Sequence, residues 1–113
     1  MAAIDNDEAP DRETLKVAVR ELLQALAEKA PGHTVEVRVP PYGAVQCVEG
    51  PRHRRGTPPN VVECQPLVFL LLGTGRMGWD EAVSTGKVAA SGQRADLSAL
   101  LPLAAPTGEP FEE

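Results

Sequence analysis

An α+β domain is the fold class this sequence predicts, and three observations predict it. Leu15, Val19, Leu22 and Leu26 recur at intervals of four, three and four, which places one apolar stripe on a helix. Val35, Val37 and Val39 alternate with Thr34, Glu36 and Arg38, the period of a strand with one wet face. Residues 67–72 are apolar without interruption and run into Gly73 and Gly75. Such a run is too short for a bilayer, which needs about 20 apolar residues, so it reads as a helix packed inside a protein.

The elements follow in order. Asp11 is placed as an N-cap and Glu13 falls in the first turn, where the helix dipole favours a carboxylate. Ala18 and Leu23 widen the buried stripe, Arg12, Lys16, Arg20 and Glu28 lie on or near the other face, and Pro31-Gly32 stops the helix. The valines of the following strand are expected to meet that helix. Pro40, Pro41, Tyr42 and Gly43 make a turn, and residues 44–49 return as a hairpin partner. Val45 and Cys47 share one face of it, Gln46 and Val48 the other, and alternation alone leaves open which face is inside. Residues 50–60 read as a loop and 61–64 as a short strand. Met77 and Trp79 cross a tight corner, Asp80 opens a short helix that Gly86 stops, and residues 87–91 extend as a strand turned by Gly92. Leu97, Leu100 and Leu101 form the apolar face of a last helix over residues 95–103, with Asp96 at its start and Pro102 at its end.

The spacing of Leu72, Gly75-Arg76-Met77, Ala82, Gly86-Lys87-Val88 and Gly92 resembles the second half of the sterol carrier protein 2 domain. That family carries a Thr-Gly-Lys-Met turn, an alanine in the next helix, a Gly-Lys-Leu strand start and a closing glycine. With Gly43-Ala44-Val45-Gln46-Cys47 ahead of residues 50–63, the whole chain is similar to the short sterol-carrier-like proteins of actinobacteria. The resemblance implies a small mixed, mostly antiparallel sheet of four or five strands with helices on one face. It also implies a cavity for acyl chains or sterols, closed by the terminal helix. Val88, Ala89, Ala90 and Ser91 are smaller than the family's usual last strand, and the arginine-rich loop has no counterpart in the eukaryotic carriers.

The chain has 113 residues, enough for one domain, placed at residues 11–103. Residues 1–10 and 104–113 are acidic or Pro- and Glu-rich tails expected to be disordered, since they cannot bury enough apolar surface to offset the entropy of ordering. The net charge of -5 resides in those tails, and the remainder is close to neutral, which argues against nucleic acid as a partner. No basic, apolar leader opens the chain, so a cytoplasmic location is expected, with Cys47 and Cys64 as small buried hydrophobes.

Little here suits catalysis. His33 follows a helix stop, and His53 sits among Arg52, Arg54 and Arg55, whose charge opposes its protonation. Gly73-Thr74-Gly75 lacks the later glycine of a dinucleotide loop, and Cys47, His53 and Cys64 have no metal-binding spacing. No enzyme, cofactor or metal is therefore expected. The leading expectation is a binding module for an apolar small molecule or acyl chain, between the sheet and the helices, with Val68, Leu71, Leu72, Met77, Trp79, Val83, Leu97, Leu100 and Leu101 as its contacts. Arg52, His53, Arg54 and Arg55 would meet an acidic head group. The alternative is an accessory domain with a closed core that docks a protein partner through the same loop. That alternative is similar to the C-terminal part of mycothiol-dependent maleylpyruvate isomerases.

Overall fold

A computed structural model describes residues 11–50 and 60–103. Both tails and the loop carrying Arg52, His53, Arg54 and Arg55 lie outside the described residues. Helix α1 spans Arg12–Lys29, followed by β1 at Val35–Val39, β2 at Gly43–Cys47 and β3 at Asn60–Cys64. Helix α2 is Pro66–Gly73, α3 is Trp79–Ser84 and β4 is Val88–Ser91. The strands form one mixed sheet in the order β2-β1-β3-β4, antiparallel at both outer pairs and parallel between β1 and β3. The α+β class is thus as the sequence predicts, and the mixed sheet as the family resemblance implies.

Register settles which faces are inside. Val37 stands opposite Val45 on one side and Val62 on the other, and Val35 stands opposite Cys47 and Asn60. Val35, Val37, Val39, Cys47 and Val62 are essentially sealed from solvent. The Val45 and Cys47 face of the hairpin is therefore the inner one. Glu36, Arg38 and Glu63 occupy the outer face, where Arg38 Nε reaches the Glu36 carboxylate at 2.9 Å. Ala90 shares the inner side with Val62 by register yet remains exposed, so the helical layer stops short of that edge.

Asp11 caps α1 by accepting a 2.7 Å hydrogen bond from the Thr14 amide, and that bond holds its carboxyl below the usual range. The buried face of α1 is Ala18, Val19, Leu22, Leu23 and Leu26. Each leucine so buried contributes on the order of 1.5–3 kcal/mol. Where α1 ends the backbone is crowded. The Val48 amide donates to the Ala30 carbonyl at 2.7 Å, and the Thr34 amide donates to Val48 O at 3.1 Å. Gly32 has φ +150, and a Cβ there would run into the Val48 carbonyl. Val48 itself has φ 74, an uncommon place for a β-branched residue.

Helix α2 departs from expectation. Phe69, Leu70, Leu72 and Gly73 are buried, but Leu67 is 36% exposed and Val68 and Leu71 are only partly covered. It is therefore not sealed on both sides. The helix packs chiefly against α1, closest at Gly73, where a Cβ would stand 2.8 Å from a methyl of Leu22. Its end is a Schellman motif, with the Arg76 amide donating to Leu71 O at 2.8 Å, the Gly75 amide to Leu72 O at 3.2 Å, and Gly75 at φ 79.

The expected helix over residues 95–103 does not form. Asp96 accepts from the Ser98 amide at 2.9 Å, the Leu100 amide donates to Leu97 O at 2.9 Å, and the chain then extends through Pro102. Proline both lacks a donor and disfavours helical geometry in the residue before it, so a single turn is all this stretch supports. Leu97 is nevertheless buried. The segment is tied down by Lys29 Nζ donating to Leu100 O at 2.8 Å and by the Leu103 amide donating to Gly73 O at 2.7 Å.

Candidate functional site: an apolar cleft at the corner between α2 and α3

The Schellman stop swings the chain across the end of α2, and the tethered 97–103 segment passes beside it. Between them is an open cleft of about 350 Å³. Leu72, Met77, Trp79, Leu101 and Pro102 supply its apolar lining, Gly75 and Gly78 its backbone, and Asp80, Glu81 and Ser98 its polar groups. Among the described residues no strand residue lines it. This cleft sits at the corner, not between sheet and helices.

Of the nine apolar residues expected to contact a ligand, Leu72, Met77, Trp79 and Leu101 meet in this cleft. Val68 and Leu71 lie elsewhere on α2, partly covered. Val83 is 39% exposed on α3, Leu97 is sealed in the core at 1%, and Leu100 is partly covered with its carbonyl on Lys29. Asp80 and Glu81, both in the first turn of α3, are not among the expected contacts, because acids at a helix start ordinarily serve its dipole. Nothing local marks Ser98 or Pro102 as lining residues, since their place beside the α2–α3 corner depends on where a later segment comes to rest.

Asn60, which reads as the last residue of a loop, is instead a buried member of β3. Its Nδ2 donates to Thr34 O at 3.0 Å and its Oδ1 accepts from the Arg94 amide at 2.9 Å. One side chain thereby fixes the turn after β4 to the start of β1, which sets the path toward Leu97.

Elsewhere the chemistry is sparse. Among the described residues no group of three His, Cys, Asp or Glu side chains is placed to hold a metal ion. His33 is exposed, with Nδ1 2.9 Å from the Gln46 amide oxygen. Cys47 stands opposite Val35, while the parallel register carries Cys64 level with Val39. At about 3.3 Å per residue those thiols are roughly 13 Å apart along the strands alone, far beyond the ~7 Å Cα limit of a disulfide.

Burial pushes the Cys47 thiol up to about 11, and burial with the Glu63 charge pushes Cys64 up to about 12, from 9.0. Both are neutral and shielded at pH 7. A raised folded value means that the folded chain holds these protons more tightly than the unfolded one. The resulting stabilisation is complete below about pH 9 and is lost as pH rises through the folded values. Native protein at pH 7.5 should therefore resist a thiol reagent until denaturant is added, and its urea midpoint should fall steeply above pH 9. A Cys64→Val variant should show a shallower fall. Prompt labelling of either thiol in the native protein would exclude this account.

No helix of the described residues is long and apolar enough to cross a membrane. No curated protein matches the chain. A family model described as bacterial SCP ortholog matches residues 11–103, the whole span from the N-cap of α1 to the tethered end at Leu103. With a match of that extent and the α+β fold to accompany it, the chain belongs to the bacterial SCP ortholog family.

Proposed function

We propose that this protein is a non-enzymatic binding module of carrier type, which holds an apolar chain in the cleft formed by Leu72, Met77, Trp79 and Leu101. The observation that carries this reading is the cleft itself, whose roughly 350 Å³ falls within the range of small-molecule sites. The family match supports a carrier-type module. A cleft this small and open suits a flexible acyl or alkyl chain better than a rigid sterol.

Ten methylenes contribute about 8 kcal/mol on burial, and association removes at least about 4, so the chain alone binds near the millimolar range. Weak, reversible holding is what such a cleft supplies. Trp79 is the chain's one tryptophan and lines the site, so its emission reports occupancy. Decan-1-ol, added up to its solubility limit, should shift that emission in the wild-type protein and much less in a Leu101→Arg variant. An equal response in the two proteins would defeat the proposal.

A further inference from the structure

We infer that the occupant of this cleft is an apolar chain ended by a positive charge, an alkylammonium rather than a fatty acid; the inference rests on the binding reading above. The charged residues of the lining are Asp80 and Glu81, both exposed and both in the first turn of α3. Among the described residues no lysine or arginine belongs to it. Arg76, between the lining residues Gly75 and Met77 in the chain, is partly buried and is not part of the lining.

The cleft therefore has an apolar floor and a rim on which two carboxylates outweigh the partial positive charge of the free amides at the start of α3. Trp79 stands next to Asp80 in that lining. An indole face attracts a cation through its ring quadrupole and does nothing for an anion. Because the chain alone binds weakly, the head group decides which amphiphile is held. A fatty acid would bring its carboxylate to two like charges, an alcohol would be indifferent, and an ammonium would be attracted to both carboxylates and the ring. Exposed pairs of this kind contribute modestly and are screened by salt. Their sum predicts a preference of about tenfold for the amine over the acid at low ionic strength.

Three probes of equal chain length separate the ideas: decylamine, decan-1-ol and decanoate, each titrated against Trp79 emission at about 50 mM salt and again at about 0.5 M. Decylamine should bind about tenfold more tightly than decanoate at low salt, and the ratio should shrink to about twofold at high salt. An Asp80→Asn, Glu81→Gln variant should lose most of the preference. A Glu13→Gln, Glu21→Gln variant, which removes the same charge from α1, should keep it, so that attraction to a generally acidic protein is separated from recognition in the cleft. Decanoate binding as tightly as decylamine, or an equal loss of preference in both variants, would overturn the inference while leaving the binding reading intact. Failure of all three probes to bind would instead remove the binding reading and this inference with it.

Discussion

Replacing Gly32 with alanine should destabilise the protein by about 3–5 kcal/mol, a large fraction of the roughly 5–15 kcal/mol that holds a domain folded. Two terms combine. A φ of +150 lies in a region that only glycine occupies readily, which costs an L-residue roughly 1–3 kcal/mol. The new methyl would also overlap the Val48 carbonyl, whose neighbours are already committed: Val48 donates to Ala30 O and accepts from the Thr34 amide. Neither backbone can retreat without breaking the junction of α1, β1 and β2. A fall in melting temperature of about 15 °C or more is the expected readout. Gly86→Ala supplies the comparison, since Gly86 has φ +80 but open space around it and should lose only about 1–2 kcal/mol. Equal losses at the two positions would mean that the crowding at Val48 is relieved cheaply.

The second large effect is at the contact between α1 and α2. Leu22 is fully buried, and its truncation to alanine should cost about 3–4 kcal/mol through lost transfer energy and the cavity left behind. Gly73→Ala alone should also destabilise, by about 1 kcal/mol, because its methyl would stand 2.8 Å from Leu22 Cδ2 and push a fully buried side chain aside. Together the two changes should cost less than their sum by about 1 kcal/mol, since the alanine methyl then occupies space the leucine has vacated. Urea unfolding of the two single variants and the double variant measures this coupling. Strict additivity would show that α2 does not sit as close to α1 as Gly73 requires. Because Gly73 O also accepts from Leu103, a shift of α2 should propagate to Leu101 and Pro102, and hence to the cleft.

Much of the architecture was legible because it is written in short-range periodicity. The four-three-four spacing of α1, the valine alternation of β1, and the Gly75 and Gly86 stops each act within a few residues. Their placement therefore needs no knowledge of the rest of the chain. The last segment was misread for a related reason. Leu97, Leu100 and Leu101 have helical spacing, but the Asp96 turn and Pro102 outcompete it, and spacing by itself does not weigh those terms. Asn60 reads as loop because it is a polar residue after a proline-rich stretch. Only a carbonyl from Thr34 and an amide from Arg94, brought in from 26 and 34 residues away, make its burial affordable.

By itself the chain of residues determined the fold class, the start and end of α1, the corner at Gly75, and a candidate lining in which Leu72, Met77, Trp79 and Leu101 already stood. Tertiary structure alone decided that these four share a cleft at a corner, that Leu97 is core, that Leu67 meets water, and that Asp80 and Glu81 belong to the lining of the same cleft. The physical reason is range. Periodicity and capping are set by neighbours a turn or less away, whereas the cleft exists because Lys29 and Gly73 hold a segment distant in the chain against the end of α2.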